Sequence, residues 1–198
     1  MEIPLIQGLE NLIDNYDGFI VDIWGVIHQG GAAFPEAVYC LEQLRKKGKR
    51  VVFLSNAPRR AKITANTLQD KGVPRELYND ILCSGEAARI AFQSPNHETP
   101  VSGLGRRYYI IASAEDDDLL NNLGLSKTKS LSNADFLLAV GLSKERPTID
   151  AHHDILLEAL KYKPQNNASP SSLPYPLCRA EPSVPSRPLC AKPTLVCQ

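Results

Sequence analysis

An α/β fold, a parallel sheet covered by helices, is what this sequence of 198 residues predicts. Two observations carry the prediction. Short apolar runs rich in β-branched residues alternate with segments of helical spacing at least five times before Lys163. Parallel neighbours also need long crossover connections, and each apolar run is followed by a segment long enough to be one.

The elements follow in chain order. Phe19-Ile20-Val21 predicts a buried strand ending at Asp22, followed by a connection through Gly25, Gly30 and Gly31. Pro35 suits a first helical turn, and Val38, Leu41 and Leu44 recur at helical spacing up to the Lys46-Lys47-Gly48 stop. Val51 to Leu54 is the second strand, ending at Ser55-Asn56. Pro58 opens a helix that carries Ile63 and Leu68 and closes near Gly72. A strand at Asp80 to Cys83 leads to a helix from about Glu86 to Phe92. A strand over Tyr108 to Ala112 precedes an acidic helix start at Glu115 to Asp118. Phe136 to Val140 is the next strand, and a helix covers about Thr148 to Tyr162.

Composition sets bounds on function. With 22 basic and 22 acidic side chains the formal net charge is zero, which argues against a nucleic-acid partner. No apolar run approaches the roughly 18 residues of a membrane span, and Met1-Glu2-Ile3-Pro4 lacks the pattern of a secretory signal. A soluble, cytoplasmic protein is expected. Five cysteines cannot all pair, so free thiols are the default, and the tail cysteines lack zinc-ligand spacing. The chain changes character near residue 163: all 12 glycines precede it and eight of the 15 prolines follow it. The Pro/Ser/Cys-rich tail, residues 163–198, is expected to be disordered.

In parallel sheets ligands bind beyond the carboxyl ends of the strands. Asp22, Ser55-Asn56-Ala57, Ser84-Gly85-Glu86 and Gly141 are the residues at those ends. A carboxylate ending the first strand can be a nucleophile or metal ligand, and a serine with adjacent N–H groups can hold phosphate oxygens. The plainer alternative is that Asp22 caps a turn and Ser55 caps a helix.

These residues carry a family resemblance. Phe19-Ile20-Val21-Asp22-Ile23-Trp24-Gly25-Val26 resembles the first motif of the haloacid dehalogenase superfamily, an apolar strand followed by D-x-D-G. Val51-Val52-Phe53-Leu54-Ser55-Asn56 resembles its second motif. With Ser84-Gly85-Glu86-Ala87, the sequence is similar to the class IIA branch, in a D-x-W-G variant, over about residues 8 to 160. The resemblance implies a Rossmann-like parallel sheet with helices on both faces. It also implies a core part over residues 1–85, a partial α/β cap over 86–162, and a sheet left incomplete.

The chemistry it implies is Mg²⁺-dependent hydrolysis of a small phosphate monoester. Asp22 would attack phosphorus and form an aspartyl-phosphate, while Ser55 and the N–H of Asn56 hold the phosphoryl group. Asp22 and the backbone carbonyl of Trp24 would bind the metal. Trp24 stands where the family has its acid, and indole has no proton to give, so His28 on the same loop is the candidate stand-in. The third-motif lysine and the acidic fourth motif are not found after the cap segment. The resemblance therefore implies a C-terminally truncated or frameshifted member, with uncovered apolar surface that favours self-association. Pro188 to Val196 faintly resembles a cap segment of the family. The alternatives are a non-catalytic phospho-ligand or protein-binding module, or an incomplete product without function.

Four further signals carry less. Gly103-Leu104-Gly105 precedes a strand, the reverse of a dinucleotide loop. His152-His153-Asp154 is expected on a solvated helix face, because helix neighbours point about 100° apart. Glu115 to Asp118 suits a helix N-terminus better than a calcium loop. Arg59-Arg60 could meet an anionic substrate or simply be a solvated first turn.

Overall fold

The computed structural model describes residues 8–94, 99, 101–114, 116–142, 146–161 and 195–197. The chain divides into two compact units, Met1–Ala87 and Ala88–Gln198.

The first unit is built on three parallel strands, β1 (Gly18–Asp22), β2 (Arg50–Ser55) and β3 (Asp80–Cys83), in the order β1-β2-β3. Successive strand side chains point to opposite faces. One face carries Val51, Phe53, Ile81 and Cys83, all buried, against Leu41 and Leu44 of α1 (Pro35–Lys46) and Leu68 of α2 (Ala61–Asp70). Pro35 opens α1 where its missing N–H costs nothing, and Gly48, at φ +68°, takes the left-handed turn that ends it. The Phe53 and Tyr78 rings lie 4.9 Å apart in this core. Burying Phe53 and Leu68 contributes about 1.5–3 kcal/mol each.

The opposite face has no such cover among the described residues. Ile20 is 77% exposed, Leu54 49% and Leu82 40%. The strands run apolar on both faces, the pattern of a sheet covered on both sides, and among the described residues of this unit α1 and α2 cover one of them.

The second unit holds β4 (Arg107–Ile111), β5 (Ser126–Lys127), β6 (Phe136–Ala139) and β7 (Leu195–Cys197), in the order β5-β4-β6-β7. β5, β4 and β6 are parallel, and β7 joins β6 antiparallel. Phe92, Phe136 and Tyr108 stack in its core, with centroids 5.3 and 6.0 Å apart. On the other side Ile155 and Leu156 of α4 (His153–Lys161) pack with Ile111, Leu131 and Leu137. Asp135 ties the start of β4: its Oδ1 accepts from the Arg107 guanidinium at 2.6 Å, and its Oδ2 from the N–H groups of Arg106 and Arg107. These bonds, the Arg107 side chain first, lower the Asp135 pKa to about 2.

Three sequence expectations change. The acidic segment does not start a helix: Asp116 to Asn122 forms turns, with Asn122 at φ +63° and Gly124 at φ +67°. Left-handed residues so close together interrupt a helix, and Asp116 turns inward to accept from the Ser113 hydroxyl at 2.9 Å. His152 is buried rather than solvated, its Nε2 3.2 Å from the Arg146 carbonyl, whereas His153 is exposed. The helix after β3, α3 (Ser84–Gln93), begins at Ser84, and the boundary between the units falls within it. Glu115 and most of the tail, including the cap-like segment apart from β7, lie outside the described residues.

Candidate active site

Parallel register brings the strand ends together. Asp22 pairs with Leu54 across β1 and β2, and Ser55 pairs with Cys83 across β2 and β3. Asp22, Ser55 and Asn56 line one open depression of about 570 Å³ with Ile20, Leu54, Leu82, Cys83, Ser84 and Ala87. Three of the five predicted site residues thus share a crevice at the carboxyl edge of the sheet. The apolar lining was missed from sequence. Its only signal was that Ile20, Leu54 and Leu82 sit where a one-sided sheet would alternate to polar.

Asp22 is exposed, and its Oδ1 accepts the Ile23 N–H at 2.7 Å. Oδ2 has no protein partner among the described residues, so one carboxylate oxygen is fixed and the other is free to react. The loop beyond β1 closes on itself. Ile27 N–H donates to the Ile23 carbonyl at 2.8 Å and Gly25 N–H to the His28 carbonyl at 2.9 Å. Gly25 has φ +81°, which favours glycine there. The Trp24 carbonyl accepts no hydrogen bond among the described residues.

Trp24 and His28 do not line the depression. The Trp24 indole is 52% exposed and meets the His28 ring edge-on at 5.6 Å. His28 is 6% exposed, and its Nδ1 accepts the Gly30 N–H at 3.1 Å, so a neutral ring carries its proton on Nε2. Burial lowers the His28 pKa, and the positive charge of Lys71 lowers it further. Lys71 also ties the loop down, donating to the carbonyls of Gly30 and Gly31 at 2.5 and 2.9 Å. A neutral, buried histidine is poorly suited to protonate a leaving group. The stand-in role expected of His28 is therefore not supported by its surroundings.

Ser55 Oγ accepts the Ala57 N–H at 3.2 Å, which leaves its own hydrogen to donate. The Asn56 N–H has no partner among the described residues. Both are donors without acceptors at the crevice, the arrangement a phosphoryl group requires. Arg60 does not wait for substrate: its Nε lies 3.5 Å from Glu86 Oε2.

Among the described residues no three His, Cys, Asp or Glu side chains stand close enough to hold a metal ion by themselves. Mg²⁺ does not require that: it keeps several waters and takes one or two carboxylates beside substrate phosphate. Asp22 Oδ1, which keeps a lone pair beside the Ile23 N–H, and the Trp24 carbonyl are hard oxygen donors of the right kind, so the residues present fit such an ion.

The sequence pattern of the haloacid dehalogenase-like hydrolases matches residues 19–126, from β1 to β5. This chain belongs to that family. A haloacid dehalogenase-like hydrolase from Brucella suis 1330 superposes with a TM-score of 0.67, at 26% identity over 80% of this chain and 57% of that one. A glycerol phosphate phosphatase from Mycobacterium tuberculosis, in complex with magnesium, gives 0.55 at 21% identity, over 75% and 42% of the two chains. The p-nitrophenyl phosphatase from Archaeoglobus fulgidus gives 0.53 at 24%, over 73% and 52%. The last two share the fold. The chain thus spans 57% or less of the length of these hydrolases. Comparison with curated protein sequences found no match.

Proposed function

We propose that this haloacid dehalogenase-like chain takes the phosphoryl group of a small phosphate monoester onto Asp22, as a Mg²⁺-dependent phosphatase does. The observation that carries the reading is that Asp22 and Ser55 end neighbouring parallel strands and line one depression. The phosphatase names of two structural neighbours support the substrate class.

In this reading Asp22 Oδ2 attacks phosphorus in line, the phosphorus–ester oxygen bond breaks, and the leaving group departs as an anion that takes its proton from solvent. The Ser55 O–H and Asn56 N–H donate to the phosphoryl oxygens. Each such donor is worth about 10²- to 10³-fold in rate. Water then cleaves the acyl phosphate and regenerates the carboxylate. When bound, Mg²⁺ supplies charge neutralisation and orientation of the phosphate, held by Asp22 and the Trp24 carbonyl. Among the described residues that line the depression, none replaces the family's second acid, a contribution of about 10²- to 10⁴-fold. The fitting substrates are therefore esters whose leaving group departs as an anion unaided.

Zero net charge supports a small metabolite rather than nucleic acid as partner. No helix among the described residues is long and apolar enough to cross a membrane, and the free thiols of Cys40 and Cys83 support a reducing, cytoplasmic setting. The segment 86–162 takes the place of an α/β cap in the chain, and the exposed Ile20, Leu54 and Leu82 favour self-association. A second reading, phospho-ligand binding without turnover, is favoured by Trp24 alone.

Steady-state hydrolysis of 4-nitrophenyl phosphate in Mg²⁺ tests the first reading. Asp22→Asn should abolish turnover. Equal rates in the two proteins overturn the assignment, and saturable phosphate binding without any turnover selects the second reading.

A further inference from the structure

The loop that carries Ser55 and Asn56 is held from outside, by four consecutive residues of the turn from β3 into α3. The Cys83 thiol donates to the Arg59 carbonyl at 2.7 Å. The Ser84 hydroxyl lies 2.9 Å from the Ala57 carbonyl and 3.1 Å from that of Asn56, so one hydrogen is shared between two acceptors. Gly85 N–H donates to the Ala57 carbonyl at 3.2 Å. Glu86 Oε2 accepts the Ala61 N–H at 2.9 Å, where α2 begins without a side-chain cap of its own. A carboxylate there satisfies an orphan helix donor and faces the positive end of the helix.

Two details show that this contact is built closely. A Cβ on Gly85 would come within 2.6 Å of the Arg59 N and O and of the Pro58 carbonyl carbon, all backbone atoms that cannot step aside. Burial raises the pKa of the Cys83 thiol, which keeps its hydrogen available to donate. Among the described residues the Asn56 N–H has no partner, whereas the Asn56 and Ala57 carbonyls and the Ala57 and Ala61 N–H groups are held.

We propose that Ser84 and Glu86 are positioning residues, which hold the 56–61 loop so that the Asn56 N–H and the Ser55 hydroxyl converge on one phosphoryl group. Ser84 fixes the peptide carbonyls on either side of Ala57, and Glu86 fixes the end of the loop at the first turn of α2. Neither needs to touch substrate for this. The inference rests on the phosphoryl-binding reading of the site.

The test uses the full chain, with inorganic phosphate as probe, titrated by amide NMR with hydrogen exchange read at Ala57 and Ala61. The variants are Ser84→Ala, Ser84→Thr, Glu86→Ala and Glu86→Gln, with Lys47→Ala, from a surface ion pair with Asp14, as control. Ser84→Ala and Glu86→Ala should each weaken phosphate binding about tenfold, the scale of one lost charge-assisted hydrogen bond. Exchange should speed at Ala57 or Ala61 respectively. Ser84→Thr and Glu86→Gln, which keep the hydroxyl and the acceptor oxygen, should restore most of the affinity, and a merely destabilising effect would not follow that pattern. Unchanged phosphate affinity in both alanine variants, with the unsubstituted chain binding phosphate, overturns the positioning role. Failure of the unsubstituted chain itself to bind phosphate overturns the reading beneath it, and the proposal with it.

Discussion

The two loops that follow Asp22 and Ser55 are held in different ways. The loop after β1, residues 23 to 34, closes on itself next to Asp22, through Ile27 to Ile23, Gly25 to His28 and Gly30 onto the His28 ring, and is tied from outside at its far end, where Lys71 holds Gly30, Gly31 and Ala33. The loop after β2, residues 56 to 60, has the Ser55–Ala57 contact inside it and is held from outside by Cys83 to Glu86, more than twenty residues along. A self-closed loop tolerates change in what surrounds it but not in its own turn residues. A loop held from outside reports on every residue that grips it. The carboxylate stands beside the first kind and the phosphoryl donors on the second, so the site depends on the fold chiefly through β3 and α3.

Substitutions can separate the two kinds of support. The largest effect is expected from Trp24→Asp, which places a proton donor on the self-closed loop without altering its backbone bonds. It should raise turnover of an alkyl phosphate by about 10²- to 10⁴-fold, read as initial rates. Next comes Gly85→Ala, which pushes Arg59 and Pro58 away from β3. It should destabilise the chain by about 1–3 kcal/mol in urea unfolding and weaken phosphate binding together with it. Its counterpart on the other loop, Gly25→Ala, strains a positive φ and should leave phosphate affinity closer to the original.

Smaller effects depend on pH. The His28 pKa is lowered in the folded state, so unfolding takes up protons as pH falls below the ordinary histidine value of about 6.5. Stability should therefore be full above that value and decline below it, and His28→Gln should flatten the slope in thermal melts. Asp135 works in the opposite sense of charge: held down to about 2 from 3.8, it stabilises above pH 3.8 and loses that contribution as pH falls towards 2. Asp135→Asn should remove the acid dependence and leave phosphate binding unchanged.

Much of this was legible in the sequence, for stated reasons. The strands of the first unit lie where apolar β-branched runs placed them, and Asp22 and Ser55 follow from those ends because parallel register is set by the crossovers. Contacts between segments distant in the chain were not legible. Nothing local shows that Glu86 caps α2 or that Ser84 holds Ala57, although Ser84-Gly85-Glu86 stood out as a strand end. The burial of His152 was not legible, because burial of a histidine depends on its packed neighbours. β5 and β7 are too short for a periodic signal, and the failed helix after Ser113 shows two left-handed residues overriding an acidic start.

The central claim, that Asp22 accepts the phosphoryl group, is tested most directly by trapping it. The chain is mixed with ³²P-labelled 4-nitrophenyl phosphate and Mg²⁺, quenched in acid and digested. Because Trp24 offers no base to activate water, the acyl phosphate should accumulate. Label should appear on the peptide containing Asp22, leave with hydroxylamine, and be missing from Asp22→Asn. Label on another residue, or none on that peptide at any Mg²⁺ concentration, contradicts the account.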